Sequence, residues 1–525
     1  MRLFTSYEES PCTGFSNQNV EFIRVLILVF IVCIFFGAPH RIATAQTIHI
    51  PDADLRVFLQ LALGKEAGED ITQADMASLE VLQASRCRFL RLSEIGEWGT
   101  PIRWICQPID GILGSDVQDL TGLEFAVNLK ELHLGRNRIS DVSPLKGLTK
   151  LTFLDLGFNA RLSDVSSLEN LTNLIFLNLK DNRISDVSPL KNMTKLIELE
   201  LRGNEISDVS PLSNLKSLIY LDLQDNQLSD ASSLENLMNL THLKLKENQL
   251  SDVSPLINLT NLTHLSLQDN QLSDVSLLNT LTKLQFLDLD SNNISDVSVL
   301  RELTNIVRLD ISDNKISDVS PLENLIKLRR LDLDDNPVSD VSPLKMLTNL
   351  VFLDLDDNQI ADVTPLTDMR KLTWLDLDDN QIADISPLGV LTNLTYLDLD
   401  GNEISDVSPL TTLTKLTELD LDNNKISDVT PLKDLTKLQL LDLHDNHISD
   451  VTPLADMIRL KVLDLDDNQI TDVSALSDLV NLIELDLDGN KVSKVSPLKG
   501  LTNLILLDLH DNEIIDVSPL SSLVN

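Results

Sequence analysis

The chain has 525 residues and a formal net charge of -39, and 42% of its residues are hydrophobic while 4% are aromatic. This apolar content excludes a disordered acidic tail, because such segments contain too few apolar residues to build a core. The negative charge argues against nucleic acid as a partner, since phosphate backbones are bound by basic surfaces.

The first apolar segment is a run of 14 residues, 25–38, with the sequence VLILVFIVCIFFGA. It is shorter than the roughly 20 residues that a helix needs to cross a bilayer. Arg24 precedes it and the small residues 43–45 (ATA) follow it, which is the order found in a secretory signal peptide. We therefore expect residues 1–45 to be a signal peptide and the mature protein to be secreted or displayed on the cell surface, with no membrane span.

Residues 46–128 are expected to form an N-terminal cap that includes a divergent first repeat. Apolar residues at helical spacing predict an amphipathic helix over 52–63 that ends at Gly64. A second helix is expected at Thr72, which has capping-box spacing with Asp75.

Region 87–111 has no counterpart in the repeats that follow, and it is either an elaboration of the cap or part of a divergent first repeat. Cys87 and Cys106 would be the two cysteines of the mature chain. In an oxidising compartment they could form a disulfide, and two free thiols are the alternative.

Residues 129–525 consist of one unit written 18 times, each copy having 22 residues except one of 23. In one copy, Leu375 and Leu377 alternate with polar residues, which predicts a β-strand with one buried face. Asn380 follows, and we expect its side chain to satisfy backbone groups at the turn. Since one unit cannot bury its leucines alone, the copies must stack.

A short helical turn is expected at Ser386-Pro387-Leu388, with Ser386 as the N-cap and Pro387 as the first helical residue. Asp384 lies just before this turn and is expected to bond its backbone. Because the repeats continue to Asn525, the last layer of leucines is expected to be exposed.

The pattern Leu-x-x-Leu-x-Leu-x-x-Asn-x-Ile resembles the leucine-rich repeat. The 22-residue units of the NQISDVSPL type are similar to those of bacterial internalins and of a regulatory subunit of protein phosphatase 1. The resemblance implies an α/β solenoid, a horseshoe with a parallel concave sheet, short helical turns on the convex side and a small helical N-terminal cap. It further implies a non-enzymatic scaffold that binds a protein or peptide.

Stacking turns each outward strand position into a column along the concave face, because parallel strands lie about 4.8 Å apart. The outer column contains Phe352, Trp374 and Tyr396 on consecutive rungs, and we expect these rigid aromatics to anchor a ligand. The alternative is that these aromatic residues only form a hydrophobic patch on the strands and bind nothing. Phe153, Phe176 and Tyr220 extend the expected binding face toward the N-terminal repeats, and His242 with His264 is expected to be an exposed pair.

Two columns of aspartate lie beside the aromatic one, and their charges would repel by roughly 1 kcal/mol per neighbouring pair in water. The middle column is Asp288, Asp310, Asp332, Asp354, Asp376, Asp398, Asp420, Asp442, Asp464, Asp486 and Asp508. The third column contains Asp290, Asp334, Asp356, Asp378, Asp400, Asp422, Asp466 and Asp488, interrupted by Ser312, His444 and His510. Such columns require counterions, a basic partner or raised pKa values.

Three interpretations of these columns stay open: a solvated acidic face, a binding face for a basic protein or peptide, or sites for a divalent cation such as calcium. No catalytic motif and no calcium-loop motif is found, so neither an enzyme nor a dedicated metal site is expected. The functional expectation is an exported, internalin-like recognition protein that binds its partner on the acidic concave face. The alternatives are an intracellular regulatory scaffold like the phosphatase subunit, and a cation-dependent structural protein of the cell surface.

Overall fold

The computed structural model describes residues 46–85, 87–92, 103–108 and 116–524. The expected signal peptide, residues 1–45, lies outside the described residues. Within them, no helix is both long and apolar enough to cross a membrane.

Two short helices open the described chain, as the sequence predicts. Helix α1, Ala53–Ala62, begins after Asp52, whose side chain accepts a hydrogen bond from the amide of Leu55. Helix α2, Gln73–Ser78, begins at a capping box in which Thr72 and Asp75 each bond the backbone of the other. Both helices pack buried apolar side chains against the first layers of the repeats.

A sheet of nineteen parallel strands follows, in which every strand pairs with the next in register. Its first strand, β1, is Val81–Gln83. The others are β4 Glu131–His133, β5 Phe153–Asp155, β6 Phe176–Asn178, β7 Glu198–Glu200, β8 Tyr220–Asp222, β9 His242–Lys244, β10 His264–Ser266, β11 Phe286–Asp288, β12 Arg308–Asp310, β13 Arg330–Asp332, β14 Phe352–Asp354, β15 Trp374–Asp376, β16 Tyr396–Asp398, β17 Glu418–Asp420, β18 Leu440–Asp442, β19 Val462–Asp464, β20 Glu484–Asp486 and β21 Leu506–Asp508. The leucine-rich-repeat solenoid expected from the sequence is confirmed.

Two segments of the cap make the contacts that are typical of a repeat. Strand β1 pairs in parallel with β4, and the amide of Val117 donates to Asn137 as the amide of Ile139 donates to Asn159. Between these two segments in the sequence, β2 (Cys87–Leu92) and β3 (Arg103–Pro108) form an antiparallel hairpin. The divergent first repeat stays a prediction.

The hairpin register bears on the cysteine pair. Cys87 lies opposite Pro108, and Cys106 lies opposite Phe89, so the two cysteines are diagonal neighbours across the hairpin. The disulfide between Cys87 and Cys106 stays a prediction, because the described structure of this hairpin is its backbone.

The interior consists of stacked apolar layers that are sealed by a column of asparagines. Leu375 and Leu377 are fully buried. Asn380 donates from Nδ2 to three carbonyl oxygens and accepts the amide of Ile360 at Oδ1, 2.8 Å away. The expectation that this asparagine satisfies the backbone is confirmed. In the last repeat the corresponding leucines, 507 and 509, are partly exposed.

Turns of 3₁₀-helix, such as Ser386–Val390, line the side opposite the sheet. The expectation that Ser386 caps this turn is wrong: Ile385 occupies the N-cap position and its side chain is buried. The cap comes from Asp384, whose Oδ1 accepts the amide of Ser386 at 2.9 Å. The backbone role expected for Asp384 is confirmed, and its carboxylate has a lowered pKa because it accepts hydrogen bonds from Ser386.

Candidate functional site

The concave face carries the three columns that the sequence defines. Pairing of Trp374 with Phe352 and Tyr396 places their side chains on consecutive rungs, and the same pairing aligns Asp376 with Asp354 and Asp398. The geometry of the three columns differs along the sheet.

The aromatic anchors form one stack. The rings of Phe352 and Trp374 are parallel within 6° with centroids 3.9 Å apart, and those of Trp374 and Tyr396 are 4.7 Å apart. The guanidinium of Arg330 lies 3.6 Å from the centroid of Phe352 and extends the stack by one rung. Because the ring faces cover one another, the stack offers mainly ring edges to a ligand, and the three rings are half-buried.

Tyr396 connects this stack to the acidic columns. Its hydroxyl donates to Oδ2 of Asp398 at 2.8 Å and approaches Oδ2 of Asp376 at 3.3 Å. Burial and these two carboxylates raise the pKa of the Tyr396 hydroxyl, so it stays protonated and remains a donor.

The N-terminal aromatics are less accessible than the sequence suggests. Phe153 and Phe176 stack with centroids 4.2 Å apart and are 6% and 4% exposed, and Tyr220 is 5% exposed. His242 is also buried and stacks on His264 at 4.1 Å, so the expectation of an exposed histidine pair is wrong. Flat stacking along the column removes these side chains from solvent, which leaves little surface for a ligand.

The middle column of aspartates is half-buried along most of its length, and two of its members are buried. Asp376 is 9% exposed and Asp332 is 7% exposed. The pKa of Asp376 is raised well above its usual value by burial and then by the charges of Asp398 and Asp354. Asp354 and Asp398 have raised pKa values for which burial is again the largest cause. These three aspartates therefore hold protons at pH values where a solvated aspartate is ionised.

The third column is more exposed, and from Asp356 to Asp400 the described structure contains no ion pair with it. Burial and neighbouring carboxylates raise the pKa of Asp378 to about 8 and that of Asp356 to about 7. A row of carboxylate oxygens in this region is buried without a hydrogen-bond partner in the described structure: Oδ1 of Asp354, Asp356, Asp378, Asp400 and Asp422. These oxygens have essentially no exposed surface, so a ligand would bond them only by displacing the neighbouring side chains.

An aspartate at the left-handed turn of many repeats has a backbone role that the sequence analysis missed. Asp379 has a φ of 43°, and the same position in the next repeat is Gly401, with a φ of 61°. Left-handed backbone favours Gly, Asn and Asp over other residues. The recurrence of Asp at this position is thus explained by the turn as well as by any ligand.

A second alternating pattern also escaped the sequence analysis. On the strand-entry side, lysines bond the asparagine one repeat earlier, as Lys371 Nζ does with Asn349 Oδ1 at 2.6 Å and Lys415 with Asn393 at 2.6 Å. Each of these asparagines also donates to a backbone carbonyl of the repeat before it. The alternation of LTN and LTK units is the signal that could have revealed these links.

The fold and this face define a leucine-rich-repeat solenoid with a parallel concave sheet. A protein-family model described as "Leucine Rich repeats (2 copies)" matches successive segments of the chain. The matched residues are 127–170, 172–214, 216–258, 260–302, 304–346, 326–368, 370–412, 392–434, 414–456, 436–478 and 458–500. The chain belongs to the leucine-rich-repeat family and is internalin-like, as a comparison with solved structures also shows.

Three solved structures illustrate the similarity. An internalin (InlF) of Listeria monocytogenes is 34% identical, and the match covers 73% of this chain and 100% of that one, with a TM-score of 0.59. A leucine-rich-repeat protein of Leptospira interrogans is 25% identical over 76% of this chain and 100% of its own length, with a TM-score of 0.61. The Arabidopsis receptor kinase HAESA, solved with the peptide hormone IDA and the co-receptor SERK1, is 24% identical over 78% of this chain and 80% of its own, with a TM-score of 0.58. No curated protein sequence matches the chain significantly.

These comparisons indicate no catalytic family, and scaffolds of this kind are typical of protein-binding proteins. The internalin and the other bacterial leucine-rich-repeat protein among the neighbours suggest an extracellular or surface location.

Proposed function

We propose that this protein is an exported recognition scaffold that binds a basic protein or peptide along its acidic concave face. The observation that carries the proposal is the row of buried carboxylate oxygens without partners, centred on Asp354, Asp378 and Asp400. A cationic ligand that displaces the neighbouring side chains would supply the missing donors and offset the repulsion between neighbouring carboxylates.

The charge pattern restricts the proposed binding region to the repeats around the aromatic stack. Arg330 pairs with Asp332 at 3.0 Å, so the middle column is partly neutralised at that rung. From Asp354 to Asp400, the described structure contains no ion pair with either column. A basic side chain entering this stretch could contact two carboxylate columns while its apolar stem lies against the edges of Trp374 and Phe352.

The experiment measures binding of a synthetic lysine- and arginine-containing peptide to the full chain by calorimetry at several salt concentrations. The double variant Asp376→Asn, Asp398→Asn removes two concave carboxylates, which a bound cation would keep ionised, with little change in shape. We expect the affinity to fall about fivefold per removed carboxylate at low salt, which corresponds to roughly 1 kcal/mol each.

The matched control removes the same charge from the opposite side of the solenoid, at the exposed residues Asp434 and Asp456. Asp434→Asn, Asp456→Asn should bind the peptide as the parent protein does. Equal weakening by both double variants would mean that the peptide senses only net charge, and the proposed face would be rejected.

The aromatic anchors and export need separate tests. Trp374→Ala should weaken capture of the same peptide if ring edges contact the ligand. Sequencing of the mature N-terminus from the producing cell should identify Gln46 as the first residue, and an unprocessed chain retained in the cytosol would contradict export.

A further inference from the structure

A histidine interrupts the third column of aspartates at a place where carboxylates face both of its ring nitrogens. His444 follows strand β18, and its Nδ1 lies 3.2 Å from Oδ2 of Asp466 on the next repeat. Its Nε2 lies 4.0 Å from Oδ1 of Asp422 on the preceding repeat. The imidazole is therefore held between two rungs of the acidic column.

A third carboxylate completes a compact set of donor atoms. One ligand atom each from His444, Asp466 and Asp467 lies within 4.8 Å of the other two. The set combines one aromatic nitrogen with two carboxylate oxygens, a combination that differs from the carboxylate-only rungs of the rest of the column.

The two aspartates are positioned by contacts that do not depend on an ion. The amide of Asp467 donates to Oδ1 of Asp466 at 2.7 Å, which leaves Oδ2 of Asp466 directed at the imidazole. Asp467 has a left-handed φ of 45°, and Gly489 on the next repeat leaves room for its carboxylate, since a Cβ at Gly489 would lie 2.1 Å from Asp467 Oδ1. The donor groups are thus held in place by the repeat backbone.

Asp422 supplies an independent indication of a ligand-binding role. Its Oδ1 is buried, has no hydrogen-bond partner in the described structure, and faces Nε2 of His444. Histidines that bind a metal through one nitrogen usually direct the other at a carboxylate, which orients the ring and raises its basicity. Asp422 Oδ1 lies 4.0 Å from Nε2 and would have to approach by about 1 Å to make this bond, while Nδ1 faces Asp466.

We propose that His444, Asp466 and Asp467 bind a divalent transition-metal ion of the zinc class, with Asp422 orienting the imidazole. Imidazole nitrogen suits zinc, copper and nickel, whereas calcium prefers a shell made of oxygen atoms. Zinc sites commonly combine nitrogen and carboxylate ligands at about 2.0–2.2 Å with a fourth position open to water or to another ligand.

The same pattern recurs three repeats later in a more exposed form. His510 lies near Asp488 and Asp511, with its Nδ1 3.4 Å from Asp488 Oδ1. The side chain of His510 is 73% exposed, whereas that of His444 is 31% exposed. The site at His444 is the better enclosed of the two and should bind the metal more tightly.

The test titrates the full chain with zinc chloride, and separately with calcium chloride, by isothermal calorimetry. His444→Gln should remove the tightest zinc-binding event and leave the calcium response unchanged. Asp422→Asn should keep the site but weaken it by about tenfold, the lower end of the range for such orienting groups. Melting curves of the apo proteins establish that each variant is folded.

The matched control is His447→Gln, which changes an exposed histidine of the same repeat outside the cluster. It should bind zinc as the parent protein does. The proposal is overturned if His444→Gln retains the tightest event, if His447→Gln loses it as well, or if calcium competes equally for it, because zinc would then be held by the aspartate columns alone. Cobalt supplies a second readout, since its visible absorption should change in His444→Gln and not in His447→Gln.

Discussion

The asparagine column makes a quantitative prediction about stability at Asn380. Its Nδ2 donates to the carbonyl oxygens of Leu355 at 2.9 Å, Leu377 at 3.2 Å and Asp378 at 2.9 Å, and its Oδ1 accepts the amide of Ile360 at 2.8 Å. Replacing Asn380 by Ala removes all four bonds, but the groups left behind are affected unequally.

The three carbonyls each keep a second donor after the substitution. Leu355 still accepts from Asn358 at 3.1 Å, Leu377 from Asn402 at 2.9 Å, and Asp378 from the amide of Asp357 at 3.1 Å. The amide of Ile360 is the group that loses its acceptor. Because a buried unsatisfied donor costs about 1–3 kcal/mol and a net hydrogen bond contributes about 1 kcal/mol, Asn380→Ala should lower the free energy of unfolding by about 2–4 kcal/mol.

Asn512 provides a matched comparison in the last described repeat. It makes the corresponding bonds, including acceptance of the Val492 amide at 2.8 Å, but its side chain is half-exposed. Water can replace the lost partner there, so Asn512→Ala should cost less than about 1 kcal/mol.

Urea unfolding followed by circular dichroism, together with amide hydrogen exchange at Ile360 and Val492, measures both effects. Exchange is needed because repeat arrays can unfold locally and depart from two-state behaviour. Asn380→Asp should be no more stable than Asn380→Ala, since it would place an oxygen against three carbonyls. Equal losses at Asn380 and Asn512, or a stable Asn380→Asp variant, would refute the reasoning.

Two further predictions concern the acidic columns and the rim. The melting temperature should rise as the pH is lowered from about 9 to about 5. Burial and neighbouring carboxylates raise the pKa values of Asp334 and Asp378 to about 8 in the folded chain. The folded chain therefore holds protons that the unfolded chain releases, and stability is lost as the pH rises through the folded-state pKa values. Calorimetry should show this slope reduced in Asp378→Asn, and a melting temperature that falls over the same interval would contradict the assignment. At the rim, Gly401 has a φ of 61°, and a Cβ there would lie 2.2 Å from Asp379 Oδ1. Because left-handed backbone disfavours Val more than Asn, Gly401→Val should be less stable than Gly401→Asn by about 1–2 kcal/mol in chemical denaturation. Equal stabilities of the two variants would argue against a left-handed requirement.

Much of the architecture could be predicted from the sequence because a solenoid is nearly one-dimensional. Each repeat contacts its neighbours, so the 22-residue period determines which residues share a column. The alternation at Leu375 and Leu377 therefore identifies the buried face of the strand, and the recurring Asn380 identifies the column of asparagines. The same period assigns Trp374 and Asp376 to their columns from the sequence alone.

Other features required the tertiary structure, because they depend on side-chain rotamers and on exposure. The period places Trp374 beside Phe352 and Tyr396 but does not state that the rings stack face to face and turn their edges outward. It also does not separate the half-buried Trp374 from the buried Phe153, which occupies the same column.

The acidic columns show the same division between what the sequence determined and what the fold decided. The repeat alone placed the carboxylates one strand apart and thereby predicted repulsion among them. Only the folded structure decided which oxygens lose solvent, which pKa values rise, and that the imidazole of His444 lies between Asp422 and Asp466. The physical reason is that spacing along a repeat is a property of the chain, whereas desolvation and the direction of a side chain are properties of everything packed around it.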